Sequence, residues 1–268
     1  MQPFDRARVM CIGRSDCFGG AGIQSDIKAV MALGAFGTSV STTVNADDTN
    51  TNFDIVEMPP TIIVRQIERI VREVGVDGIK IGRLLSEEQI DIIANILERD
   101  VDPVPMVIAP ILMSPTGAPR LSVRAIAALK RRLLHVATLL CVSREEAEVL
   151  TGMEINDPEE MTHAATMLVT LGCQAVLING GAFGREKFVD ILATADDVIT
   201  YTDMPGSVIA TYGVTPVLAA AIATGLSQGM DITEAVVRGR NFVLRAAENG
   251  ITFVEGPPIQ GPIATADA

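Results

Sequence analysis

The chain has no tryptophan, and tyrosine and phenylalanine together make up 4% of its 268 residues. With so few rings, the core has to be built from Val, Ile, Leu and Ala, which suits a sheet packed between helices. Basic residues are also scarce. Lys and Arg number 21 against 33 Asp and Glu, and the net charge of −12 argues against nucleic acid or anionic membranes as partners. No apolar run is long enough to span a bilayer, and the first residues do not read as a secretory signal. The four cysteines, Cys11, Cys17, Cys141 and Cys173, show no paired spacing, so neither a disulfide framework nor a zinc site is expected. A reduced, cytoplasmic setting is the simple reading. The two histidines, His135 and His163, lie in helical stretches without metal-ligand partners and are expected to be surface or satisfied side chains. Repeats and linkers are absent as well. One domain over residues 1–268 is expected, with a loose Pro-, Gly- and Ala-rich tail at 256–268.

What is present begins with a glycine loop, Gly13-Arg14-Ser15-Asp16-Cys17-Phe18-Gly19-Gly20-Ala21-Gly22. The apolar run Val9-Met10-Cys11-Ile12 before it reads as a buried strand, and Ile23, Ile27, Val30 and Leu33 after it recur at helical spacing. A strand, a glycine turn and a helix N-terminus suit a polar or anionic small molecule, but equally a tight connection of an α/β domain. Cys17 in this loop is expected to pack rather than to react.

Strands are expected at 35–44, 76–82, 106–109, 137–142 and 175–179, and two short antiparallel edge strands within 187–203. Between them the periodicity predicts helices. Pro59-Pro60 open one, Ser86-Glu87-Glu88-Gln89 reads as a capping box for another, and Asp157-Pro158 caps a third. Two final helices begin near Thr215 and Asp231, with Thr215 as the expected N-cap and Pro216 at the first helical position. This alternation predicts an α/β fold, a three-layer α/β/α sandwich with a mostly parallel central sheet. In such a sheet, ligands bind beyond the carboxyl ends of the strands.

The stretch Gly19-Gly20-Ala21-Gly22-Ile23-Gln24-Ser25-Asp26-Ile27-Lys28, followed by Ala32-Leu33-Gly34-Ala35-Phe36-Gly37, resembles the hydroxymethylpyrimidine/phosphomethylpyrimidine kinases of thiamine synthesis. These kinases belong to the ribokinase-like superfamily. The likeness continues through Lys80-Ile81-Gly82, Glu145-Glu146-Ala147-Glu148, Gly180-Gly181 and Ala219-Ala220-Ala221-Ile222-Ala223. It implies a ribokinase-like fold, ATP and Mg²⁺ as cofactors, and a homodimer.

Carrying the family pattern over residue by residue exposes departures. The family turn Gly-Thr-Gly-Cys, which supplies a base and an anion hole, falls on Gly213-Val214-Thr215-Pro216. Proline at 216 has no ionisable group and no backbone N–H. The strand that ends in Asp-Pro in the family ends here in Ala109-Pro110, and the lysine that follows it falls on Pro115. Ser143 stands at the Asn of Asn-x-x-Glu, although Glu146 is kept. Asn179 replaces the Lys before the Gly-Gly pair, and Ala182 follows that pair. Together these changes reduce the cations and donors available to a triphosphate.

On the substrate side, Ala21 and Asp26 match residues that line the family's pyrimidine pocket, and the resemblance places Asp26 on an exocyclic amine. The family's ring-reading Gln falls on Asp47. Arg14 and Arg83 enter where the family has Gly and Met. Either arginine is free to turn to solvent or to pair with Asp16, Asp47 or Asp48. The acidic run Glu145, Glu146 and Glu148 reads as a Mg²⁺ site or as a solvated helix face, and Tyr212 as a stacking residue or a rim. Two functions follow. One is a non-catalytic or regulatory protein that binds a small molecule bearing phosphate or carboxylate, with no metal and no confident cofactor. The other is an active ATP-dependent kinase of hydroxymethylpyrimidine.

Overall fold

The computed structural model describes residues 5–45, 55–114, 117–183, 187–202 and 212–251. Asp47, Asp48, Pro115 and the tail at 256–268 lie outside these residues.

Nine strands form one sheet in the order β3-β2-β1-β4-β5-β6-β7-β8-β9. They are β1 (Arg8–Asp16), β2 (Phe36–Asn45), β3 (Ile55–Glu57), β4 (Gly78–Ile81), β5 (Met106–Ile108), β6 (Leu139–Ser143), β7 (Ala175–Phe183), β8 (Lys187–Thr194) and β9 (Val198–Tyr201). The run from β2 to β7 is parallel, and β3, β8 and β9 pair antiparallel at the two edges.

The helices divide between two faces. On one lie α2 (Pro60–Glu73), α3 (Glu87–Asp100), α4 (Val123–Arg132), α5 (Arg144–Thr151) and α6 (Pro158–Thr170). On the other lie α1 (Gly22–Ala32), α7 (Val214–Ser227) and α8 (Ile232–Glu248). The strand alternation explains the two cores. Met10, Ile12, Ile79, Ile81, Ile108, Leu140 and Ile178 point to the five-helix face, and Val9, Cys11, Val107, Leu139, Cys141 and Leu177 point to the other. Helix α7 is buried along nearly its whole length, which fits its apolar sequence on every side. None of the described helices is long and apolar enough to cross a membrane.

The expected sandwich is therefore present, with three local differences. β1 does not stop at Ile12. It continues through Arg14, Ser15 and Asp16 by pairing with Thr43, Val44 and Asn45, after a register shift at Gly13/Arg14. β3 is a three-residue edge strand, too short to show in a hydrophobic pattern. At α3, Ser86 is the N-cap and accepts from Gln89 N at 3.4 Å, but the Gln89 side chain reaches back to Leu85 N at 2.9 Å and not to Ser86.

The connections place a crevice at β1. The chain leaves β1 for β2 on one side and returns to β4 on the other. Such a reversal of strand order opens a gap beyond the carboxyl ends of the two central strands. Arg14 follows the bulge in β1, and Arg83 follows β4 by two residues.

Candidate functional site

A cavity of about 580 Å³ occupies this crevice. Arg14, Ala21, Asp26 and Arg83 line it from the β1 and β4 side. Ser143, Glu146, Asn179, Gly213, Thr215 and Pro216 line it from the other. The candidate site residues that lie among the described ones thus meet in one space. Ala109 is the exception: it is fully buried in the core, and its N–H donates to Ile81 O at 2.8 Å. Two further hollows lie at the amino ends of the strands, one beside Arg8 and Asp77 and one beside Pro105 and Thr138.

The glycine turn is held by one carboxylate. Asp16 is buried, and its Oδ2 accepts from Gly20 N at 3.1 Å and Ala21 N at 2.8 Å. Helix α1 then starts at Gly22, whose φ of 62° and close approach to Arg14 O leave no room for a side chain. The start of α7 meets this turn directly. Gly213 adopts φ 83°, and a Cβ there would collide with Gly20 O.

That contact corrects the expected helix start. Gly213 is the N-cap and Val214 the first helical residue, so Thr215 is not the cap and Pro216 is the third helical residue. The first helical bond runs from Val217 N to Gly213 O at 3.2 Å. Proline costs little at this position, because the N–H groups of a first turn have no partner within the helix. The Thr215 hydroxyl instead accepts from Asn179 Nδ2 at 3.1 Å.

Asp26 is fully buried and pairs with Lys80 Nζ at 2.8 Å. Burial raises its carboxyl above the usual range, against the pull of Lys80 and Arg14. Its second oxygen, Oδ1, is buried with no hydrogen-bond partner among the described residues. Arg14 donates to Tyr212 Oη at 2.7 Å and lies 3.6 Å from Asp16. Burial raises the Tyr212 phenol. Arg83 is 5% exposed, so it does not turn out to solvent.

Glu146 is not a solvated residue. It is buried, its Oε1 accepts from Leu112 N at 2.7 Å and its Oε2 from Ser143 N at 2.9 Å. The second bond closes a capping box with Ser143, the N-cap of α5. Burial raises the Glu146 carboxyl, opposed by these backbone donors. Glu145 is exposed and bonded to Arg144, while Glu148 accepts from Ile155 N at 2.9 Å. Among the described residues no group of three His, Cys, Asp or Glu side chains could hold a metal ion. Cys17 is exposed instead of packed, because the turn that carries it projects from the sheet end. His135 and His163 are exposed, as expected.

The sequence reading missed two features of the wall. Lys80 was visible only as part of a motif, and Arg120 carried no signal at all. On the β7 side, Asp190 Oδ1 accepts from Gly180 N at 2.8 Å and Oδ2 takes Arg240 Nε at 2.8 Å. This fixes the shifted register of β7 beside Asn179.

Known proteins of this architecture are readily found. A family profile described as phosphomethylpyrimidine kinase matches residues 16–262. The hydroxymethylpyrimidine/phosphomethylpyrimidine kinase of Streptomyces coelicolor is 30% identical over 97% of this chain and 93% of its own. A bifunctional thiamine biosynthesis protein of Geobacter sulfurreducens is 35% identical over 91% of this chain, which spans about half (50%) of that relative's length. Among solved structures, the phosphomethylpyrimidine kinase of Clostridium difficile superposes with a TM-score of 0.79 at 30% identity, over 89% of this chain and 98% of that one. The pyridoxal kinase of Staphylococcus aureus, solved with ADP, gives 0.86 at 28% identity, over 96% of this chain and 93% of that one.

Proposed function

Since the chain belongs to the phosphomethylpyrimidine kinase family, with its ribokinase-like fold, we propose that it keeps the small-molecule cavity of that family and has given up phosphoryl transfer. Its ligand on this reading is a small molecule bearing phosphate or carboxylate. The observation that carries the reading is Pro216 on the cavity wall, where the family places an ionisable side chain at a helix start. Proton abstraction from a substrate hydroxyl needs a base within hydrogen-bond reach. Pro216 supplies none, and the acidic groups of the wall are engaged elsewhere: Asp26 holds Lys80, Glu145 pairs with Arg144, Glu146 holds two backbone N–H groups, and Tyr212 holds Arg14.

The nucleotide side supports the same reading. A triphosphate is bound by cations, backbone N–H groups and a metal between its phosphates. Pro216 removes one N–H from the helix end, and Asn179 offers an amide where the family has an ammonium. Each oxygen of Glu146 already accepts from a backbone N–H. These residues fit ATP and Mg²⁺ poorly, so no step is assigned to either.

Arg14 and Arg83 support an anionic ligand. Both line the cavity together with Ala21 and Asp26. Guanidinium groups recognise phosphate and carboxylate bidentately, which favours a ligand that carries either group.

A second reading, an active ATP-dependent hydroxymethylpyrimidine kinase, is favoured by the kinase relatives and by a single cavity that runs from Ala21 to Glu145. Thermal unfolding with Mg-ATP separates the two. A ligand at 100 times its dissociation constant adds about 2.7 kcal/mol of stability. The expected result is no shift of the melting midpoint at millimolar ATP. No phosphorylation of hydroxymethylpyrimidine is expected either, in the native chain or in Pro216→Cys. A turnover near the ~10 s⁻¹ of an ordinary enzyme would overturn the reading.

A further inference from the structure

Behind the β7 wall of the cavity lies another buried ion pair. Asp190 sits on β8 between Val189 and Ile191, which face the five-helix core, so its side chain points with Leu192 toward α7 and α8. The alternation calls for an apolar residue there, yet Asp190 and its partner Arg240 of α8 are both almost fully enclosed. Neither is among the described residues that line the cavity. Asp190 Oδ2 accepts from Arg240 Nε at 2.8 Å, and the Arg240 guanidinium lies 4.4 Å from the centre of the Tyr201 ring on β9. Asp190 Oδ1 accepts from Gly180 N at 2.8 Å. Gly180 has φ 73° and sits in a bulge, where the steps from Ile178 to Gly181 on β7 outnumber by one those from Ile191 to Val189 on β8. A bulge re-aims the side chains beside it. Here that side chain is Asn179, on the cavity wall. Its Nδ2 donates to Thr215 Oγ1 at 3.1 Å, and its Oδ1 accepts from Cys141 Sγ at 3.9 Å.

We propose that Asp190 and Arg240 are positioning residues of the cavity. They pin the bulge that aims Asn179 at Thr215, and so fix the spacing between the end of β7 and the first turn of α7. Gly180 pairs with no residue of β6 or β8, so the Asp190 carboxylate holds a backbone N–H that the ladders leave out. A buried ion pair adds little stability of its own. Its effect here is geometric, because the charged bonds from Arg240 fix the direction in which the carboxylate faces Gly180. The contacts close a ring. Arg240 reaches β8 from α8, and α8 packs on α7, the helix that carries Thr215, with Gly239 so close that a Cβ would stand 2.8 Å from Ile222 Cγ1. The wall is thereby coupled to α8 and β9, which contribute no described residue to its lining. The arrangement does not depend on which ligand the cavity takes.

Native-state thiol labelling tests this, because Cys141 is fully buried against Asn179. The full chain is treated with methyl methanethiosulfonate, and labelling of each cysteine is followed by peptide mass spectrometry. Cys17 is exposed and calibrates the reagent, while Cys11 and Cys173 are buried and report opening elsewhere. Arg240→Met should speed the labelling of Cys141 by about tenfold or more relative to Cys11 and Cys173, since a loosened wall opens locally before the whole fold does. Arg240→Lys keeps a charge for Asp190 and should fall between that variant and the native chain. Equal acceleration of the three buried cysteines would mean that the pair serves global stability alone. Unchanged labelling of Cys141 would mean that it positions nothing. Either result overturns the proposal. If Arg240→Met does not fold, Arg240→Lys decides by the same comparison, and a ratio of Cys141 to Cys173 labelling equal to that of the native chain overturns it.

Discussion

Lys80 Nζ donates to Asp26 Oδ2 at 2.8 Å, and both side chains are shielded almost entirely from solvent. Lys80 lies on β4 between Ile79 and Ile81, which face the five-helix side, so the lysine points to the opposite face, toward α1. An ion pair in such a place stabilises weakly as a pair and strongly against the loss of one partner. Lys80→Met should therefore cost about 3–5 kcal/mol, because it leaves the Asp26 carboxyl buried without its cation. The double variant Lys80→Met with Asp26→Leu should recover most of that loss. Urea unfolding of the three proteins measures it, and a single-variant cost under about 1 kcal/mol would mean that the pair carries no buried charge.

Glu146 ties α5 to the hairpin after β5 with two buried backbone bonds. Glu146→Ala should cost about 2–4 kcal/mol, since each buried N–H left without an acceptor costs about 1–3 kcal/mol. Glu146→Gln keeps one acceptor oxygen and should cost about half as much. Equal stabilities of the alanine variant and the native chain in guanidinium unfolding would show that neither the cap nor the hairpin depends on this side chain.

Asp77 gives a pH dependence with a definite sign. Arg8 binds it through Nε at 2.7 Å and Nη2 at 2.6 Å, and these bonds hold its carboxyl below the usual carboxylate range. A carboxyl depressed in the folded state contributes stability above its unfolded value, and loses it as pH falls through the folded value. The pair is about one third exposed, so solvent screening limits the contribution to about 1 kcal/mol or less. The stability difference between native protein and Asp77→Asn should be constant above about pH 5 and should shrink below about pH 4. Urea midpoints across that range test it. A difference that grows toward acid would reverse the sign and reject the assignment.

Much of the fold can be read along the chain because its causes are local. The apolar alternation at Val9–Ile12 places a strand, and a cap lies within three residues of the N–H it serves, as at Asp157 with Glu160 N. The family pattern also assigns Arg14, Ala21, Asp26 and Arg83 to a substrate side and Pro216 to the turn that faces the nucleotide. The extension of β1 through Asp16 was not legible, because it depends on pairing with β2 nearly thirty residues away. The start of α7 was misplaced by two residues for a similar reason: Gly213 must fit against Gly20, a contact that no local propensity encodes.

The sequence by itself determined the α/β/α layering, the family and the residue types available for chemistry. The tertiary structure alone decided which of them face one another. It joined Lys80 to Asp26, set Glu146 against two backbone N–H groups, and carried Arg120 into the cavity. The direction of a buried side chain is set by packing against elements remote in sequence. Periodicity reports that a residue is inside, but not what it meets there.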